Sequence, residues 1–249
     1  MGNKISARGR FADIELEAQK RPVVAIDERF LSHADGTRLL MDNATSPYSK
    51  DFVLKDGKSK KPVFRAGPDA ELRTLLDTSK KPIVTVAKKR NVDSIYYVYL
   101  PEADPYRDDA GYVDPSDDSE LFQIYFKMGW KTRTESRDTT LRADFSDRAT
   151  GERCRTEFEG EWYSHCAMLW LVRASSNARS PLARVFKPAG RPASEYYVDI
   201  VPNVDTALVL TICAVLDEQL KREERHNSRT VVGAMMNSKS TLFFAPSEA

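Results

Sequence analysis

The chain has 249 residues, enough for one large domain, and 41% of them are apolar, enough to fill a sizeable core. Its 38 Lys and Arg against 37 Asp and Glu leave a net charge of +1, so no global field announces a nucleic-acid partner, and none is expected. Three cysteines without C-x-x-C spacing, and no secretory leader at the start, speak against a disulfide scaffold and give a reducing, cytoplasmic compartment as the expectation.

The first six residues, Met1-Gly2-Asn3-Lys4-Ile5-Ser6, match the Met-Gly-x-x-x-Ser/Thr pattern of N-myristoylation, which makes Gly2 a candidate acylation site. One myristoyl chain holds a protein to a membrane only marginally, at about 10⁴ M⁻¹, so a second signal is required. No cysteine precedes Cys154, which leaves electrostatics as that signal: Lys4, Arg8 and Arg10 precede the first acid, Asp13. Residues 1–21 are therefore expected as a flexible, lipidated basic arm, giving reversible association with the inner membrane face.

Short stretches rich in Val, Ile, Tyr and Phe follow, separated by Pro, Gly, Asp, Asn and Ser. The expected strands are Val23–Ile26, Arg38–Met41, Phe52–Leu54, Val63–Arg65, Arg73–Leu76, Ile83–Ala87 and Ile95–Leu100. After them come Leu121–Phe126, Thr140–Phe145, Arg153–Phe158, Ala167–Val172, Ala183–Phe186 and Tyr196–Ile200. About a dozen strands at this spacing favour a closed or nearly closed antiparallel architecture. Between them, residues 101–120 carry eight acids against the single cation Arg107, together with three prolines, the composition of a long exposed loop.

One segment breaks the β pattern. From Asp205 to about Arg225 there is no Gly or Pro, and Pro202-Asn203 can start a helix with Asn203 or Asp205 near its cap. Its run Ala207–Leu216 is apolar on every face but about half the length needed to span a bilayer, so it reads as a buried core helix that a β shell must enclose. Residues 226–249 form a polar tail in which Leu242-Phe243-Phe244 could add a last strand or anchor the terminus.

The stretch Tyr196-Tyr197-Val198-Asp199-Ile200-Val201-Pro202-Asn203-Val204-Asp205, the apolar run Ala207–Leu216 and the closing Asp217-Glu218 resemble the end of the LURP-one-related family. Leu75-Leu76-Asp77 with Lys81-Pro82-Ile83-Val84-Thr85-Val86, and Ser180-Pro181-Leu182-Ala183-Arg184-Val185, look like two further parts of that family. The likeness covers roughly residues 22–225. It implies a fold similar to the tubby C-terminal domain and to phospholipid scramblases: mainly β, a twelve-stranded antiparallel barrel threaded by one apolar C-terminal helix.

Candidate chemistry is sparse. His33, His165 and His226 are scattered, and neighbours in a strand face opposite ways, so His165 is not placed to activate Cys166. Cys154, Cys166 and Cys213 with the three histidines show no metal-ligand spacing, and the acidic loop does not follow a calcium-loop pattern. Neither a catalytic residue, a metal nor a cofactor is expected. A scramblase-like acidic calcium segment would precede the last helix, where this chain has Ser194–Asp199 with too few carboxylates. Basic clusters stand at Lys58/Lys60/Lys61, Lys80/Lys81 and Lys88/Lys89/Arg90. The resemblance implies an anionic head-group pocket built from such side chains, with Lys80, Lys81, Lys88, Lys89 and Arg90 as candidates. The expectation is a monomeric, non-enzymatic, membrane-peripheral lipid-binding or adaptor module that reads anionic phospholipids such as phosphoinositides and has a protein partner not identified by its residues. The alternatives are a scramblase-like lipid mover and a soluble interaction domain.

Overall fold

The computed structural model describes residues 9–42, 52–66, 72–88, 95–101, 106–107, 113–114, 120–128, 139–192 and 195–220. The first six strands are β1 (Thr37–Asp42), β2 (Phe52–Asp56), β3 (Pro62–Ala66), β4 (Leu72–Leu76), β5 (Pro82–Lys88) and β6 (Ile95–Tyr99). Two-residue strands β7 (Tyr106–Arg107) and β8 (Val113–Asp114) pair only with each other, inside the acidic segment. Then come β9 (Glu120–Met128), β10 (Thr139–Ser146), β11 (Arg153–Glu161), β12 (Cys166–Arg173), β13 (Arg179–Phe186) and β14 (Glu195–Ile200).

Twelve of these strands close into one barrel in the order β1-β14-β13-β12-β11-β10-β9-β6-β5-β4-β3-β2, every neighbour antiparallel. Closure removes the exposed edges that would otherwise pair with other chains. Alternation supplies the two faces: along β11, Cys154, Thr156 and Phe158 are buried, while Arg153 is exposed and Arg155 and Glu157 are half-buried. Pro181 fits inside β13 because it sits opposite Trp170, where the register slips by a residue. Gly160 of β11 has φ +128°, and a Cβ there would lie 2.3 Å from the Cys166 carbonyl oxygen, so only glycine lets β12 approach.

The antiparallel order sorts the connections. The turns β2–β3, β4–β5, β10–β11 and β12–β13 lie at one end of the barrel with the exit of β14; we call this the Lys80 end. The turns β11–β12 and β13–β14, and the last residue of β5, lie at the opposite Lys88 end.

The contacts divide the chain into two units, Met1–Ile212 and Cys213–Ala249. A single helix, α2, runs over residues 206–220 and crosses that division. In the first unit Ala207, Leu208, Val209, Leu210 and Ile212 are each 0% exposed, so the helix is surrounded on every face, as its all-round apolar sequence requires. In the second unit the helix is buried from Cys213 to Gln219. Its charged continuation beyond residue 220, and the tail with Leu242-Phe243-Phe244, lie outside the described residues.

One expected strand is absent. Val23–Ile26 is an extended strap making only a parallel bridge from Val23 to Val204. Its amides go to carboxylates instead of a ladder: Val24 donates to Asp147 at 3.1 Å, Ala25 and Ile26 to Asp205 at 3.2 and 2.7 Å. The segment expected to be flexible over residues 1–21 is held to the barrel from Phe11 onward. Phe11 packs with Cys166 and Met168 of β12, and Ile14 and Leu16 pack against the same cluster beside Trp170. A short helix, α1 (Gly9–Ala12), leads into this contact.

Candidate functional site

The structure separates the lysines that the sequence grouped. Lys80 and Lys81 form the exposed tip of the β4–β5 hairpin, whereas Lys88 closes β5 at the other end of the barrel. Seven residues at about 3.3 Å each put Lys81 and Lys88 roughly 23 Å apart along the strand, too far for one phosphate-sized ligand. Lys89 and Arg90 lie outside the described residues, as do Gly2, Lys4 and Arg8; Arg10 falls in α1.

The Lys80 tip has a twin. The β2–β3 turn ends in Ser59-Lys60-Lys61-Pro62 and the β4–β5 turn in Ser79-Lys80-Lys81-Pro82. In the first, the Asp56 carboxylate accepts the Ser59 and Lys58 amides at 2.6 and 3.2 Å, and the Ser59 amide holds its pKa below the ordinary carboxylate value. In the second, Asp77 accepts the Ser79 and Lys81 amides, both at 2.8 Å. Lys60 and Lys80 take left-handed φ values of 60° and 62°. With their acids turned onto the backbone, the tips leave Lys58, Lys61, Lys80 and Lys81 exposed. The repeated Ser-Lys-Lys-Pro was the readable signal of this pairing.

A second basic feature runs along the outer wall of β1, β14 and β13. Asp199 of β14 faces Arg38 of β1 and Arg184 of β13 in the ladder, and its carboxylate binds both guanidinium groups, at 2.5 and 3.3 Å. Beside them Phe186 and Tyr197 stack with centroids 5.6 Å apart, and Arg38 lies 5.4 Å over the Phe186 ring. Lys60 and Arg191 both donate to the Tyr197 hydroxyl, at 2.9 and 3.3 Å. Arg184 does a further job: its Nη1 donates to the carbonyls of Phe11, Ala12 and Ile14, clasping the N-terminal segment to the wall. No sequence signal marked Arg184, because its partners are backbone atoms some 170 residues away.

On the far wall, β9, β10 and β11 with the β12–β13 turn form an open groove of about 570 Å³. Tyr125, Arg142, Arg153 and Arg155 line it together with Glu120 and Asp144, and Arg142 is tied to Asp144 at 2.8 Å. None of the described lysines singled out in the sequence lines it.

The nucleophile candidates are packing groups. The His165 ring stacks on Tyr196 at 4.2 Å with Trp162 tilted against it at 5.7 Å, while Cys166 packs in the Phe11–Met168 cluster. Burial pushes the Cys154 thiol up to about 11 and the Cys213 thiol up as well, which suppresses the thiolate that chemistry would need. Among the described residues no group of three or more His, Cys, Asp or Glu could hold a metal ion, and no helix is long and apolar enough to cross a membrane.

A closed twelve-stranded antiparallel barrel with one apolar C-terminal helix places the protein in the tubby-like class of β barrels. The sequence model of the LURP-one-related proteins matches residues 37–217, from the first residue of β1 into the helix, and the chain belongs to that family. No curated protein and no solved structure matches it significantly.

Proposed function

We propose that this LURP-one-related barrel is a membrane-peripheral lipid-binding or adaptor module, anchored by myristoylation of Gly2 and meeting anionic head groups with basic strand ends. The observation that carries this reading is the clasped N-terminal segment. Phe11 is buried against β12, so the acylation motif hangs nine residues from a fixed point on the barrel. An acyl chain so placed keeps that point of the barrel within about 30 Å of the bilayer, and Lys4, Arg8 and Arg10 lie between the chain and the fixed point in sequence. Because Lys80–Lys81 and Lys88 sit at opposite ends, at most one group faces the bilayer on which the acyl chain inserts.

The test is co-sedimentation of acylated and unacylated full-length protein with vesicles of graded phosphatidylserine and phosphoinositide content. Binding that requires both Gly2 acylation and anionic lipid is the expected result. A Gly2→Ala protein that sediments as well as the acylated one would refute the anchor. Head-group selectivity without acylation would leave the basic surface as the sole attachment, and no binding by either form would leave a soluble interaction domain.

A further inference from the structure

Two connections from opposite ends of the barrel meet over one side chain of the outer wall. Lys60 comes from the β2–β3 turn and Arg191 from the β13–β14 connection, and both donate to the Tyr197 hydroxyl of β14, at 2.9 and 3.3 Å. Two positive groups on one neutral oxygen are close enough to share a single phosphate group. By accepting from both, the phenol oxygen spends its lone pairs on the cations and keeps its own hydrogen for an arriving acceptor.

The turn that carries Lys60 is held for this contact. The Gly57 amide donates to the Arg38 carbonyl at 2.8 Å, and a Cβ on Gly57 would come 2.5 Å from the Arg38 Cγ, so glycine lets the turn lie against β1. Lys60 follows with φ +60°, and its ammonium closes back on the Gly57 carbonyl at 2.6 Å and lies 4.8 Å over the Tyr197 ring. Its partners are thus two neutral oxygens and a ring, with no carboxylate. Lys80 has the same backbone in the twin turn, φ +62°, but makes no contact of this kind among the described residues. A cation already fixed in place loses less freedom when it binds a ligand.

Charge decides what such a site takes. Arg38, Lys60, Arg184 and Arg191 lie over the stacked rings of Phe186 and Tyr197, at 5.4, 4.8, 5.9 and 5.9 Å from their centroids. The carboxylates bonded to these cations are Asp199, shared by Arg38 and Arg184, and Glu195, 3.1 Å from Arg191. Four cations against two carboxylates leave two positive charges. A phosphate monoester, at about −1.5 to −2 near neutral pH, complements both, whereas a carboxylate or a phosphodiester complements one. Lys60 and Arg191 are exposed, so the site opens to solvent.

We infer that Lys60, Arg191 and the Tyr197 hydroxyl form a binding site for a phosphate monoester on the outer wall at β14. The site does not depend on Gly2, so the full-length Gly2→Ala protein tests it, and its failure leaves the acyl anchor untouched. Titration with inorganic phosphate and with glycerol phosphate at constant ionic strength, followed by phosphorus NMR, should show saturable one-to-one binding. Lys60→Gln and Arg191→Gln should each weaken it about tenfold, Tyr197→Phe severalfold, and Lys80→Gln less than about twofold. Thermal melting shows that each variant is folded. Phosphatidylcholine vesicles carrying phosphatidic acid, a monoester, or phosphatidylglycerol, a diester, then separate the sources of the ligand. Preference for phosphatidic acid that Lys60→Gln abolishes puts the monoester on a lipid, and saturation by the soluble esters without that preference puts it on a soluble molecule. No saturable binding of any monoester, binding that survives Lys60→Gln, or an equal loss from Lys80→Gln overturns the site.

Discussion

Removing the Asp205 side chain should loosen the helix start and the N-terminal strap together. Asp205 is 0% exposed, and its two oxygens take five backbone N–H groups. Oδ1 caps the helix, accepting from Ala207 at 2.9 Å and Leu208 at 3.3 Å. Oδ2 holds the strap, accepting from Ala25, Ile26 and Asp27 at 3.2, 2.7 and 3.2 Å. Asp205→Ala strands three strap amides at about 1.5 kcal/mol each and removes a cap worth about 1 kcal/mol, roughly 5–6 kcal/mol in all. Desolvation offsets part of that, because burial outweighs those hydrogen bonds and pushes the carboxyl up to about 6, an ionisation cost of about 3 kcal/mol at neutral pH that alanine does not carry. The net loss is about 3 kcal/mol, or roughly 6–12 °C in Tm for a chain of this size. The raised pKa also fixes a pH signature. Between the unfolded value near 4 and about 6, the folded state binds a proton that the unfolded state does not. This group's contribution is therefore full below about pH 4 and lost as pH rises through 6, and the slope should vanish in Asp205→Ala. Scanning calorimetry across pH 4–8 reads both effects, and hydrogen exchange at Ala25–Asp27 reads the strap. A variant melting within about 2 °C of wild type at pH 7, with those amides still protected, would refute the reasoning.

Three further outcomes follow from the packing. Leu210→Asp places an uncompensated carboxylate where the wild-type side chain is 0% exposed, and should cost more than about 4 kcal/mol, leaving the protein unfolded or aggregated by circular dichroism. Arg184→Ala removes the donor to three carbonyls of the N-terminal segment and should speed cleavage by a Glu-specific protease after Glu15 and Glu17 severalfold while barely moving the melting of the barrel. Cys154, Cys166 and Cys213 are all buried, so a thiol reagent at pH 8 should label none of them natively and all three in denaturant; rapid native labelling of Cys213 would contradict its burial.

Strand positions were legible because alternation is local. Twelve of the thirteen expected strands are barrel strands, most extended by a residue or two. The exception, Val23–Ile26, has the right residue types but loses its ladder to Asp147 and Asp205, carboxylates more than 120 residues away that no local pattern reveals. The helix was legible for the opposite reason: a run that is apolar all round has one physical solution, and Ala207–Ile212 is buried accordingly. Site geometry was less accessible. Lys81 and Lys88 are close in sequence but flank the strand Pro82–Lys88, so they address opposite ends, a consequence of the expected strand Ile83–Ala87 that grouping the lysines by sequence overlooked.

Since residues 207–212 of the helix are fully buried and closure leaves the twelve barrel strands no edge, recognition in the first unit falls to the outer wall and the two ends. There the N-terminal segment links the fold to its proposed attachment. It is pinned at three heights, by Arg184 at residues 11–14, by Ser180 and Pro181 at Gln19, and by Asp205 at residues 25–27. These pins differ in kind. The Asp205 pin is shared with the helix cap, so it cannot open without loosening the core. The Arg184 pin is shared with Asp199 and the Phe186 ring, over which Arg38 also lies, and Arg38 still satisfies Asp199 when Arg184 is gone. The segment should therefore peel from its N-terminal end first, giving the acylation motif a longer tether while the barrel stays folded. An Arg184→Ala protein that keeps its Tm, loses exchange protection at residues 11–14 and retains it at residues 25–27 would show that the pins open in that order, and equal loss at both would refute it.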